Sequence, residues 1–232
     1  MTSERTPAPV IAFRDLRFSY GAGAFGLAIE ALTIAPHSRV AIVGPSGTGK
    51  TTMLNLLSGL DVPQAGHVQV AGTALETLGD AARRRFRLQN LGFVFQRFEL
   101  VSYLSVLENI LYPYRLSPAL RLTNDVRLRA QDLARSVGLD DKLSAKPAAL
   151  SQGEQQRVAV CRALVTTPKL VLADEATGNL DPANKTLILD LLFEQVAKAD
   201  ATLVAVTHDH GLLPRFDRVI DFADLTTGEG RR

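Results

Sequence analysis

Nine residues of the 232-residue chain have the types and spacing to hold a polyphosphate. The run GPSGTGKTT, Gly44 to Thr52, fills the G-x-x-x-x-G-K-[ST] pattern at every fixed position, between an apolar segment (Val40 to Val43) and a stretch of helical periodicity. Gly44, Gly47 and Gly49 open turn conformations closed to other residues, so successive backbone N–H groups can converge on phosphate oxygens. Pro45, Ser46 and Thr48 complete the loop. Thr52 follows into a helix whose N-terminal end is positive. Lys50 is placed to reach the β- and γ-phosphates, and the Thr51 hydroxyl to hold a magnesium ion.

A second set of residues matches the first. LVLADE ends an apolar strand on two adjacent carboxylates, Asp174 and Glu175. In an isolated setting such a pair can simply close the strand. With a phosphate cradle in the same chain, Asp174 is suited to the magnesium shell beside Thr51, and Glu175 to polarising a water that attacks the γ-phosphate. His208, Asp209 and His210 are a weaker case for a metal site, because alternate residues after a strand point in different directions and no Cys or further His lies close by in sequence.

The elements that must position these groups follow from hydrophobic patterning. IAFRDLRFSY, LAIEALTIA and RVAIV read as strands joined by turns, the last apolar enough for a central strand covered on both faces. Met53, Leu56, Leu57 and Leu60 recur at helical spacing, DVPQAG breaks that helix, and GHVQVAG reads as a short edge strand. From about Arg97 to Leu150 strand signals vanish. TNDVRLRAQDLARSVG is the clearest helix, capped by Thr123 or Asn124, apolar along Val126, Ala130, Leu133, Ala134 and Val137, and stopped at Gly138. Strands return at KLVLA and TLVAVT, separated by a helix around Thr186 to Ala197, with a last short strand at RVIDF. Alternating strands and helices around a cradle imply an α/β fold with a mostly parallel sheet and its chemistry at the carboxyl ends of the strands.

Composition excludes several classes. The net charge of +2, from 26 basic and 24 acidic residues, gives no bulk field to gather nucleic acid or anionic lipid. The cluster Arg83, Arg84, Arg85 and Arg87 reads as a solvated helix face. A single cysteine, Cys161, rules out an internal disulfide and, set at helical spacing from Val158 and Val165, reads as core. The polar, Pro-rich start MTSERTPAPV has no apolar stretch for a signal peptide, and no segment nears the ~18 apolar residues of a membrane span. Any membrane role is expected to come through a partner.

Taken together the motifs resemble an ABC (ATP-binding cassette) ATPase over about Val10 to Ala223. The cradle matches Walker A and the Asp174–Glu175 strand matches Walker B. Gln96 in GFVFQ matches the Q-loop, LSQGEQQRVAVCRAL from Leu150 the signature region, GNLD ending at Asp181 the D-loop, and His208 in TLVAVTHD the switch histidine. Tyr20 matches the aromatic that stacks on adenine. The resemblance implies a P-loop NTPase (RecA-like) core with a mostly parallel sheet, an N-terminal antiparallel β subdomain and an inserted α-helical subdomain. One cassette would span 1–232, with about 10–96 and 155–232 forming the core and β subdomain and about 97–154 the helical subdomain with the signature. It also implies ATP and Mg2+ as ligands. Catalysis falls to Glu175, His208, Gln96 and Lys50, with Thr51, Gln96 and Asp174 at the metal. Each assignment has a plain alternative: strand-end solvation for Gln96, rim packing with Phe18 for Tyr20, helix capping before Pro182 for Asp181, an ordinary loop histidine for His208.

The resemblance further implies a head-to-tail pair of cassettes, in which Ser151 and Gly153 of one subunit meet the ATP held by the other. The signature departs from LSGGQ: Gln152 replaces the first glycine and Glu154 the glutamine. Ser151 and Glu154 form an S-x-x-E capping box, which leaves Ser151 and the helix end available to phosphate; a Glu154 turned outward would instead repel it. After Gln96, RFELVSYLSVLENI holds Phe98, Leu100, Val101, Tyr103 and Leu104, many apolar groups for a connecting segment. Some must face the core. The rest are expected to form a groove for a helix of a transmembrane permease. Within the family, GLDVPQAG, LSVLENI, LSQGEQQRVA and ATGNLD look most like the bacterial lipoprotein-release and macrolide-exporter group. The expectation is thus an ATPase that powers export or extrusion through a separate permease at the inner face of the cell membrane. The alternatives are the ATPase of a non-transport cell-envelope or division complex, and a soluble ABC ATPase of DNA repair or translation.

Overall fold

The computed structural model describes residues 8–21, 26–178 and 182–226. In chain order the elements are β1 (Ile11–Ser19), β2 (Gly26–Ile34), β3 (Arg39–Val43), α1 (Lys50–Ser58), β4 (Ala65–Val70), β5 (Thr73–Ala74), α2 (Asp80–Asn90), β6 (Leu91–Phe95) and α3 (Val106–Ile110). They continue with α4 (Asn124–Ser136), α5 (Gln152–Leu164), β7 (Leu170–Asp174), α6 (Pro182–Lys198), β8 (Thr202–Val206), β9 (Arg218–Asp221) and α7 (Phe222–Leu225).

Burial patterns sort the strands into two sheets. RVAIV, LVLAD and TLVAV bury nearly every side chain, as strands covered on both faces must. They lie together in a parallel sheet of order β6-β7-β8-β3-β9. β1 and β2 expose more of their side chains and pair antiparallel from Ile11↔Ile34 to Ser19↔Gly26, in a second sheet of order β2-β1-β4-β5. The GHVQVAG segment is therefore not at the edge of its sheet: β4 lies between β1 and the two-residue β5, which covers Gln69 and Val70. A two-residue turn makes this hairpin, with both Ala71 (φ +48°) and Gly72 (φ +82°) in the left-handed region that matches strand twist.

The helix after the cradle ends two residues sooner than its apolar spacing suggested. Gly59 caps α1 in left-handed geometry, and Leu60 falls outside, 55% exposed. The basic cluster is also not uniformly solvated. Arg84 and Arg85 are exposed, whereas Arg87 donates to the carbonyl of Gly59 at 2.9 Å and Arg83 to that of Leu78 at 2.6 Å, so two of the four guanidiniums bond the C-terminal ends of helical turns.

The helical part gathers around a core of Val106, Ile110, Ala130, Ala134, Leu139 and Val158, with Cys161 buried among them. α4 is capped by Thr123, whose hydroxyl accepts from the Val126 N–H, and ends before Gly138 at φ +71°. α3 falls inside the apolar connecting segment expected to divide its side chains between the core and a docking groove. Ser105 and Glu108 close a full capping box there, the same S-x-x-E signal that marks α5. α5 is shared between cores: Val158 and Cys161 face α3 and α4, while Val160 and Ala163 pack with β7 and α6. Gly92 makes this possible, since a Cβ there would lie 2.2 Å from the Ala163 carbonyl oxygen. Among the described residues no helix is long and apolar enough to cross a membrane.

Candidate active site

Parallel neighbours bring three motifs to one edge of the sheet. β3 runs into the cradle, β7 ends at Asp174, and β8, between them, leads to His208. Register is set by Ile42↔Val206 and Asp174↔Val206, and β6 adds Gln96 one residue past the Phe95↔Asp174 pair.

The cradle has the backbone that its glycines permit, with φ of +145° at Gly44, +78° at Gly47 and +109° at Gly49. Gly49 is the N-cap of α1 and offers no capping side chain, so the first N–H groups of the helix have no side-chain acceptor there. The Lys50 ammonium is buried and donates to the carbonyls of Gly44 (2.8 Å) and Pro45 (2.6 Å), which wraps the loop around a positive charge; the Thr48 hydroxyl ties to Pro45 at 2.9 Å. A cavity of about 370 Å³ opens over the loop, lined by Ser46, Gly47, Lys50, Thr51, Asp174 and Glu175 among others.

Tyr20 and Thr52 line the same cavity. The Tyr20 ring packs edge-on against Phe18 (centroids 4.8 Å apart, 88°) and its hydroxyl donates to Asp61 at 3.1 Å, yet the residue stays 56% exposed. Packing on Phe18 and an open stacking face therefore coexist.

The two carboxylates differ in environment. Burial, and then the neighbouring Glu175, push the Asp174 carboxyl above the usual range, while Lys50 and a hydrogen bond from Thr51 pull it back. This oxygen pair, a hydroxyl and a carboxylate beside a phosphate loop, fits magnesium, a hard ion that takes few protein ligands and fills its shell with water and phosphate. Among the described residues no group of three His, Cys, Asp or Glu could hold a metal alone, and His208, Asp209 and His210 do not converge: Asp209 pairs with Lys185 at 2.9 Å.

Glu175 sits at φ +46°, a left-handed conformation that costs a non-glycine residue on the order of 1 kcal/mol. Its N–H donates to the Val206 carbonyl at 3.0 Å and its carboxylate lies 3.2 Å from His208 Nδ1, so β8 both holds the strained turn and supplies the partner. Gln96 reaches the same turn: its amide nitrogen lies 3.3 Å from where a Cβ on Gly178 would stand, and the Gly178 N–H donates to the Glu175 carbonyl at 2.9 Å. Gln96 and His208 touch the turn at Glu175 and are not part of the cavity's lining.

Ser151 and Gly153 lie apart from the cavity, at the start of α5. Both halves of the capping box are present: the Glu154 N–H donates to Ser151 Oγ at 3.3 Å, and the Ser151 N–H to Glu154 Oε2 at 2.8 Å. The other carboxylate oxygen accepts from Lys142, and that bond, followed by the Ser151 N–H, holds the Glu154 carboxyl at about 2. Glu154 is folded back onto the chain, not turned outward. Lys142 had no sequence signal, because a 3-10 turn brings it near. Asp181 lies outside the described residues. Phe98, expected in a docking groove, is buried, its ring tucked in by a left-handed turn at φ +59°; Tyr103 is 72% exposed.

Comparison with known proteins agrees with this geometry. A family described as ABC transporter matches residues 29–178. The chain is 41% identical over 239 residues to the lipoprotein-releasing system ATP-binding protein LolD of Xylella fastidiosa, covering 98% of both chains. It is 45% identical over 189 residues to LolD of Chromohalobacter salexigens, covering 82% of this chain and 79% of that one. Among solved structures it resembles the dimeric post-hydrolysis state of the ATP-binding cassette MJ0796 bound to ADP and Pi, with TM-score 0.77, 32% identity and 96% and 97% of the two chains covered. It also resembles cbiO1 of Clostridium perfringens, part of the ABC transporter complex cbiONQ, with TM-score 0.83, 26% identity and 93% and 85% covered. The chain belongs to the ABC transporter family, as an ATP-hydrolysing cassette similar to those of the lipoprotein-release group.

Proposed function

We propose that two copies of this cassette close on two ATP molecules and drive a separate transmembrane permease that releases lipid-anchored proteins from the inner membrane. The observation that carries the hydrolytic reading is Glu175, which lines the phosphate cavity with His208 at 3.2 Å. Glu175 accepts the proton of the attacking water, and His208 holds the carboxylate and senses the γ-phosphate. Lys50 releases the Gly44 and Pro45 carbonyls to meet the β- and γ-phosphates. Thr51, Asp174 and Gln96 would hold magnesium, which when bound would supply neutralisation of the phosphate charge. Tyr20 stacks on adenine, and Ser151, Gly153 and Asp181 complete the site of the opposite subunit.

The lipoprotein reading is supported by the LolD relatives, matched nearly end to end, and replaces bulk export as the preferred process. Docking is supported by a cavity of about 510 Å³ lined by Phe93, Phe95, Tyr112, Leu116 and Arg162 among others, next to the segment that exposes Tyr103. Its largely apolar walls suit an amphipathic cytoplasmic helix of the permease, and the cassette is peripheral to the membrane through that contact.

The test is recovery of the Glu175→Gln variant from membranes in mild detergent with ATP, followed by mass spectrometry. An integral membrane protein in stoichiometric amount supports the reading. Recovery of ribosomes or DNA-repair proteins, or of the cassette alone, contradicts it.

A further inference from the structure

Two consecutive residues just beyond Gln96 hold left-handed backbone, Phe98 at φ +59° and Glu99 at φ +49°. Neither is glycine or asparagine, and each such residue costs about 1 kcal/mol or more, so the surroundings must enforce the turn. Part of the restraint is local. The Phe98 N–H donates to the Phe95 carbonyl at 3.1 Å and the Glu99 N–H to that of Arg97 at 2.6 Å, which folds residues 95–99 into one tight reversal with Gln96 inside it.

The remainder comes from a distant residue. Arg162 Nη2 donates to the Phe98 carbonyl at 2.6 Å and Nη1 to the Glu99 carbonyl at 2.5 Å. A planar fork spans two adjacent carbonyls in one orientation, which an ammonium does not. Burial pushes the Arg162 guanidinium below its ordinary value and the Glu99 carboxylate partly restores it, so the group is held in place at some desolvation cost. Arg162 stands in the last turn of α5, the helix whose first turn carries Ser151 and Gly153, and it also walls the apolar groove together with Glu99.

We propose that Arg162 is a positioning residue for ATP hydrolysis: it locks the 95–99 reversal and thereby aims Gln96 at the magnesium and water site. The inference rests on reading Gln96 as a group of that site. One guanidinium thus ties the active-site glutamine to the far end of the signature helix. It also places the turn where an occupant of the groove can press on it.

The test uses the full chain and four variants, with ATP affinity measured in EDTA, steady-state kcat, and the Mg2+ concentration for half-maximal rate. Arg162→Lys is expected to lower kcat about tenfold or more and to raise the Mg2+ requirement, with ATP affinity within about twofold of wild type because the cradle is untouched. Glu99→Val, at an exposed position but with a β-branched residue that resists left-handed backbone, is expected to give the same pattern. Glu99→Gly in the Arg162→Lys background is expected to recover most of the rate, since glycine holds the turn without the fork. Unchanged kcat in Arg162→Lys or in Glu99→Val, or no recovery by glycine, overturns the inference. Gln96→Ala separates the two layers: if it leaves kcat and Mg2+ dependence unchanged, the reading of Gln96 fails; if it lowers kcat and Arg162→Lys does not, only the role of Arg162 fails.

Discussion

Glu154 illustrates how a single substitution in a motif is absorbed by its surroundings. Its charge sits at the end of the helix that should face phosphate, yet one oxygen caps the Ser151 N–H and the other bonds Lys142. The carboxyl titrates at about 2, below the ordinary 4.5. With a depressed native value, its stabilisation is complete above about pH 4.5 and is lost as pH falls from there toward 2. Urea unfolding between pH 6 and 3 should therefore show a shallower acid loss in Lys142→Met than in wild type; equal slopes would mean the pair is not formed in solution. Cys161 gives a second prediction at this scale. Burial pushes its thiol up to about 12, so a thiol reagent at pH 8 should leave native protein unlabelled and react once it is unfolded. The capping box was legible in sequence because its partners are three residues apart. Lys142 was not, because only the fold brings it to Glu154.

At the scale of elements, short pieces carry long-range positioning. α3 has five residues, too few for hydrophobic periodicity to show, and its capping box is the only local signal. Ser105→Ala should cost about 1 kcal/mol in chemical denaturation, from the lost cap. The contact of β6 with α5 is tighter, since Gly92 admits no Cβ against the Ala163 carbonyl. Gly92→Ala should lower stability by roughly 1–3 kcal/mol and lower kcat too, because β6 leads to Gln96 and α5 carries both Ser151 and Arg162. Loss of stability with kcat unchanged would show that strand and helix shift without disturbing the site. The central strands were readable from their apolar runs, whereas β5 and the hairpin before it depend on a two-residue turn that alternation does not reveal.

At the scale of the whole molecule, the parallel order β6-β7-β8-β3 takes motifs separated by more than a hundred residues and lays their carboxyl ends side by side. Motif spacing and the family resemblance named the candidate members of the site, and strand adjacency supplies the distances: Thr51 bonded to Asp174, Glu175 beside His208, Gln96 against Gly178 of the turn that follows Glu175. The signature helix stays outside this cluster, and in the proposed function a second cassette brings its own signature helix to it. The proposed chemistry rests on Glu175, and the most direct measurement is steady-state ATP hydrolysis by Glu175→Gln alongside its ATP affinity. Loss of at least about a hundredfold in kcat with ATP still bound is the result expected of a general base. Turnover within a few-fold of wild type would contradict it.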